Sequence, residues 1–273
     1  MKMPKQVITT FLTSLFLLNT AVSASQGIFF YQSAGVSINP LGVLLDTRAL
    51  YRIPLSKSQD ILWKSTKLDI GLANEWTPAD DFLGVRITCE PIAIFDITLR
   101  AGYYGMFNVF GYGYYPMATA ASNYNDSVRK ALDPLSVNGW WCSAAPNLKL
   151  KLGRFIAVDC VTANLFDMQQ KGYFLEVRSY AIHKTQDIDI QNDAYALFEI
   201  NKVIMTGLNY HVLSVLGTKV FSDRLSAMAI VTPEWKRFES TFLAVVAGLY
   251  FRDPLFRMNG YVAVQAGFEI KIR

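Results

Sequence analysis

Along most of this chain the side-chain character changes with a period of two, and that alternation limits what the chain can fold into. The C-terminal segment is the cleanest case. Val262, Val264, Ala266, Phe268, Ile270 and Ile272 alternate with Tyr261, Ala263, Gln265, Gly267, Glu269 and Lys271. Successive side chains of a β-strand point to opposite sides, so such a segment has one apolar and one polar face. Leu45, Thr47, Ala49, Tyr51 and Ile53 stand against Asp46, Arg48, Leu50 and Arg52 in the same way. Leu68, Ile70 and Leu72 oppose Lys67, Asp69 and Glu75, while Val85, Ile87 and Cys89 oppose Arg86, Thr88 and Glu90. Phe95, Ile97, Leu99, Ala101 and Tyr103 oppose Asp96, Thr98 and Arg100. Downstream, Leu148, Leu150 and Leu152 oppose Asn147, Lys149 and Lys151, Ile156, Val158 and Cys160 oppose Asp159, and Leu175 and Val177 oppose Glu176 and Arg178. Weaker strands are expected near 193–201, 203–216, 224–233 and 240–250, with a further one open at 27–38.

These segments are close to the 9–11 residues that cross a bilayer as a tilted strand, longer than the 5–6 typical of a soluble sandwich. Tyr51, Trp63, Trp76, Tyr103, Trp140, Trp141 and Trp235 fall near strand ends, where interfacial aromatic girdles sit. Composition agrees: 52% of residues are hydrophobic and 14% aromatic, with only 18% charged, against about 25% charged in a soluble domain. The expectation is an all-β fold, a transmembrane antiparallel β-barrel of about twelve strands with ten to fourteen allowed. A soluble all-β fold is the rival. Closure follows from lipid, which leaves the N–H and C=O groups of an open sheet edge unpaired.

Residues 1–24 read as a cleaved signal peptide: Lys2 and Lys5, an apolar run through Phe11, Leu12, Leu15, Phe16, Leu17 and Leu18, then the small residues Ala21, Ser23 and Ala24. The barrel domain is then 25–273. Loss of Lys2 and Lys5 lowers the formal charge from +4 to +2, which leaves no basic patch suited to nucleic acid. Three cysteines, Cys89, Cys142 and Cys160, give no complete disulfide framework. Around a turn at Gly153-Arg154, Leu152 opposes Phe155, so Cys160 faces Asn147 rather than Cys142.

The longest irregular stretch is 107–139, with a short helical turn expected around Ser127–Leu132. Barrels of this kind keep long loops outside and short turns in the periplasm, which makes Glu90-Pro91 and Gly153-Arg154 periplasmic turns. Strand parity does not close between 163 and 200, so a strand there is hidden or one is false. No repeat, linker or second domain is legible.

Ser37-Ile38-Asn39-Pro40, Asn74-Glu75-Trp76-Thr77-Pro78-Ala79, Gly84-Val85-Arg86, Glu90-Pro91-Ile92-Ala93-Ile94-Phe95 and Leu99-Arg100-Ala101 together give residues 37–110 the look of a family of uncharacterised Gram-negative outer-membrane β-barrel proteins of porin-like type. The resemblance implies a barrel in the outer membrane, in contact with outer-membrane lipids and the barrel-assembly machinery, and implies no activity. Many such barrels end in an aromatic residue; this chain departs from them by ending Lys271-Ile272-Arg273, with Phe268 the nearest aromatic on the apolar face.

For chemistry the chain has two histidines. His211 and Ser214 are three residues apart and point to opposite sides of a strand, and His183 is read as a loop imidazole. No catalytic residue is expected. No cofactor is expected either, and no metal, because the cysteines lack zinc spacing and the acidic stretch Asp187, Asp189, Asp193, read as a solvated charged surface loop, lacks EF-hand glycine and glutamate. The candidate functional surface is the inward face, with Asp46, Arg48, Arg52, Lys67, Asp69, Glu75, Arg86, Glu90, Asp96, Arg100, Lys149, Lys151, Asp159, Glu176 and Arg178. Three readings follow. The charges filter ions or small solutes in a porin-like channel constricted by 107–139; or they pair across a closed structural or surface-binding barrel; or His211 serves a lipid-modifying enzyme. The solute stays open.

Overall fold

The computed structural model describes residues 24–39, 42–58, 60–109, 112–120 and 132–272. The expected signal peptide up to residue 23 and the expected helical turn at 127–131 lie outside the described residues. In chain order the strands are β1 (Gly27–Ile38), β2 (Gly42–Pro54), β3 (Lys67–Trp76), β4 (Asp80–Ile92), β5 (Phe95–Met106), β6 (Tyr115–Met117), β7 (Val137–Leu152) and β8 (Phe155–Met168). They continue as β9 (Tyr173–Glu176), β10 (Ala181–Lys184), β11 (Gln186–Glu199), β12 (Ile204–Val215), β13 (Phe221–Val231), β14 (Ser240–Arg252) and β15 (Gly260–Lys271).

Twelve of them close into one antiparallel barrel in the order β1-β15-β14-β13-β12-β11-β8-β7-β5-β4-β3-β2. The seam joins the first and last strands, registered from Phe29↔Lys271 to Ile38↔Val262. The start of β1 and the end of β15 therefore lie at the same mouth, called here the near mouth. The turn at 153–154 lies there too, with Gly153 at φ 62°, a left-handed conformation that a two-residue hairpin requires and glycine adopts without strain. Leu152 pairs with Phe155 and Asn147 with Cys160, as the sequence predicts, and all three cysteines are free. The β4–β5 turn comes three residues later than expected, at 93–94: β4 runs on to Ile92, which pairs with Phe95 after a register shift beyond Cys89. The parity break between 163 and 200 also resolves. Leu175–Arg178 is not a wall strand; β9 and β10 form, with β6, a separate three-stranded sheet of order β10-β9-β6.

The outer surface is what hydrocarbon selects. Val43, Leu45, Ile70, Leu72, Leu83, Val85, Leu99, Leu148, Leu150, Leu208, Val245 and Val262 are all exposed there. Tyr51, Trp63, Phe155 and Trp235 are exposed toward the near mouth, and Trp76, Tyr103 and Trp140 toward the far mouth. These are the two aromatic girdles of a membrane-spanning barrel. Trp141 is a correction: it is buried inside, its ring 4.9 Å from that of Phe82, because it follows Trp140 by one residue on β7 and one residue reverses the face.

Replacing Leu72, 61% exposed on β3, by Arg is expected to lower folding stability in phospholipid vesicles by about 2–4 kcal/mol, read as a shifted urea midpoint. An unchanged midpoint would mean that this face does not meet lipid.

The lumen as candidate functional site

The sheet β10-β9-β6 lies inside the far half of the barrel. Its Tyr115, Met117, Phe174, Leu175 and Ile182 form one buried cluster with inward side chains of the wall, among them Ala73, Phe82, Tyr104, Met106, Trp141, Phe166 and Met168. β6 belongs to the long loop 107–136 and β9-β10 to the loop between β8 and β11, so two loops of one mouth fold inward and pair with each other as a plug. The described part of the long loop that forms β6 is folded inward.

Side-chain pairs pin the plug to the wall. Arg178, in the turn after β9, donates to Glu75 Oε2 at 2.7 Å, to the Glu75 carbonyl at 3.0 Å and to Asp80 Oδ1 at 2.5 Å. Arg100 donates to the other Glu75 oxygen at 2.6 Å, and Tyr104 donates to Glu176 at 2.5 Å. Arg178 is 5% exposed and Glu75 1%, so this pairing takes place away from bulk water. Breaking such a pair strands a charge, at about 3–5 kcal/mol.

The other expected lumen residues form a network on β2–β7. Arg52 grips Asp69 at 2.8 and 2.9 Å and reaches across β1 to both Glu269 oxygens at 3.1 Å. Its guanidinium lies 4.0 Å from the Phe29 ring centroid. Arg48 pairs with Asp46 along its own strand and sits 4.3 Å from the centroid of the Tyr31 ring. Lys149 pairs with Asp96 at 2.6 Å and Glu90 at 3.5 Å. Arg86 donates to Thr98 at 3.4 Å. Lys67 is half-buried near the near mouth, and Lys151 is exposed at its rim, paired with Glu199 at 2.6 Å.

Three expectations fail in instructive ways. Asp159 points outward, because on β8 the inward face is Ile156, Val158 and Cys160, which the reading by charge had assigned to lipid. Ile156 and Val158 join Tyr31, Tyr195, Leu197, Met205, Met228, Ile230, Phe242 and Val246 in a cluster that fills the lumen beside β8–β15. Glu176 and Arg178 lie in the lumen but on the plug, not the wall. The acidic stretch Asp187, Asp189 and Asp193 is not a surface loop: all three face inward from β11 and are buried. Inward residues that sequence reasoning missed include Asp80, Arg224 and those three aspartates.

Neither histidine has room for a substrate. His211 places Nδ1 3.0 Å from Asp193 beside a cavity of about 10 Å³, space for a single water. Ser214, as expected, points to the other face. His183 is not in a loop; it is fully buried on β10 with its ring 5.1 Å from Phe166 and 5.8 Å from Phe174. Its Nε2 lies 3.4 Å from Ser179 Oγ and 3.8 Å from Asp189 Oδ2. A relay needs acid and nucleophile on different ring nitrogens. At the near mouth a vestibule of about 900 Å³, lined by Lys151, Arg154, Glu199, Lys202, Trp235 and Lys236, reaches inward to buried Met205 and Thr241.

No protein-family model matches the chain, and no curated protein matches it by sequence. Among solved structures, the translocator domain of autotransporter NalP from Neisseria meningitidis is similar over 95% of this chain and 92% of its own, at 12% identity and a TM-score of 0.44. The NanC porin is similar over 89% of this chain and 100% of its own, at 8% identity and 0.41. The loop L8 deletion mutant of OmpT, an outer membrane protein of Vibrio cholerae, is similar over 91% and 100%, at 7% identity and 0.36. At these scores the likeness carries no argument, and the fold rests on this chain's own strand order.

Arg178→Ala is expected to undock the plug, so that proteinase K cuts between 169 and 185 in the variant and spares the wild type; equal protection would show that the apolar cluster alone holds it. Acid is expected to act similarly through His183. Burial holds its imidazole below the ordinary histidine value, against the pull of Glu176 and Asp187. The undocked form binds the proton more readily, so the stabilisation is complete above about 6.5 and is lost as pH falls through the lower docked value. Protection at pH 8 that fades by pH 5 in the wild type, and fades less in His183→Phe, is the expected pattern.

Proposed function

We propose that the chain is an integral β-barrel of a Gram-negative outer membrane, inserted by the barrel-assembly machinery, and that in its resting state it is closed to ions and solutes. The observation that carries this is the state of the lumen charges. Asp46, Arg48, Arg52, Asp69, Glu75, Glu90, Asp96 and Arg100 are all buried, and each has a partner inside the barrel. A selectivity filter presents its charges to water; these are turned to one another, and with two apolar clusters they fill the bore. On this reading the far mouth, with the long loops, faces outside and the near-mouth vestibule opens to the periplasm. The barrel then works as a structural element or surface-binding platform, without an enzymatic role.

A second reading, a gated channel for small solutes, is favoured by one feature. The plug is made of loops, and side-chain pairs join it to the wall. Among the described residues β6, β9 and β10 form strand ladders only with one another, so the sheet can leave without opening the barrel.

Refolded wild-type protein in a planar bilayer is expected to be silent, while Arg178→Ala combined with Glu176→Ala gives stepwise conductance if the second reading holds. Stable conductance from the wild type would overturn the closed reading. Silence from both proteins would remove the gated channel and leave the closed barrel.

A further inference from the structure

Asp159 is the one charged side chain, among the described residues, that faces outward between the two girdles. It stands two outward positions along β8 from Phe155, which packs on Phe198 of β11 with ring centroids 5.1 Å apart at the near-mouth girdle. A strand tilted by about 40° carries it roughly 10 Å beyond that girdle, well inside an apolar band about 25 Å tall. Beside it, outward on β11, Asn192 donates to Asp159 Oδ1 at 2.7 Å. Acyl chains offer neither group anything, and ionisable residues at membrane depth are stable where protein covers them.

We infer that this face is where a second copy of the chain docks in the membrane, with Asp159 and Asn192 at its centre. The inference rests on the membrane-spanning reading, because in water an outward carboxylate needs no cover. A second copy fits for reasons of hydrogen-bond arithmetic. Asn192 has two amide hydrogens and uses one on its own Asp159. A two-fold axis along the membrane normal, passing between β8 and β11, sets each strand's outward row against the other strand of the neighbouring copy. Asp159 then meets the partner's Asn192, and the second amide hydrogen goes to the second carboxylate oxygen. Both copies gain the same bond, and the two carboxylates lie diagonal to each other with carboxamides between. The surrounding outward residues Ala157, Ala194 and Ala196 are small enough for two walls to approach closely.

The test is the mass of the refolded barrel in detergent and in nanodiscs, with heat-modifiable gel mobility and vesicle insertion measured in parallel. Wild type is expected as a dimer, Asp159→Leu and Asn192→Leu as inserted monomers with dimer dissociation raised by about tenfold or more. Asp159→Asn is expected to keep the dimer by amide pairing, and Leu45→Ala on the opposite wall to leave it unchanged. An inserted but monomeric wild type, a larger ring, or an Asp159→Leu dimer as tight as wild type overturns the inference and leaves the barrel reading intact. Failure of wild type to insert in vesicles overturns both.

Discussion

Backbone N–H and C=O groups in hydrocarbon have no water to turn to, and the rest of this structure depends on that. The only sheet without an edge is a closed one, so Gly27–Ile38 must meet Gly260–Lys271 across a continuous seam. Closure with twelve strands sets the next problem. Eight strands enclose a bore that wall side chains can fill, and diameter grows with strand number. Here the wall cannot fill the far half alone. The plug sheet supplies Phe174, Leu175 and Ile182 to meet Phe82, Tyr104 and Trp141 from the wall.

What fills the bore also divides it. Charge is densest on β2–β7, while β8–β15 carry an apolar cluster around a few inward charges, Asp187, Asp189, Asp193, Arg224 and Glu269. Ions taken from water need partners whose geometry satisfies them, or they become liabilities. Arg52 meets this with two carboxylates and an aromatic face, joining β2, β3 and β15. Arg178 meets it with Glu75 and Asp80, tying loop to wall. The same residues therefore satisfy buried charge and fix where the plug sits, which is why the pairing belongs to positioning more than to net stability.

The wall was legible because its signal is local. Period two needs only neighbouring residues, and hairpin register follows from one turn, so Leu152↔Phe155 and Asn147↔Cys160 could be read directly. β1 was harder: Gly27–Ile38 has Phe29 and Tyr31 on its inward face, so no charge marks its polar side. The aspartates of β11 were misread as a loop although Asp187, Ile188, Asp189 and Ile190 alternate. The acidity masked the period. The plug could not be read at all, since Tyr173–Glu176 alternates as well as a wall strand does and only the count of crossings excludes it.

Asp159 shows where the rule that charged faces point inward gives out. That rule holds when the lumen is more polar than the lipid side. Toward β11 the lumen beside Ile156 and Val158 is lined by Tyr195, Leu197, Met205 and Val246, an apolar surface. Ile156 and Val158 gain burial by facing it, and register allows only one face to win. Asp159 is then carried outward by its neighbours rather than by its own preference, and the carboxylate must be accommodated on the outer surface. Inward packing thus decides outer chemistry. The same cluster that closes one side of the lumen leaves Asp159 and Asn192 on the wall behind it, where, among the described residues, an ionisable side chain faces outward between the girdles.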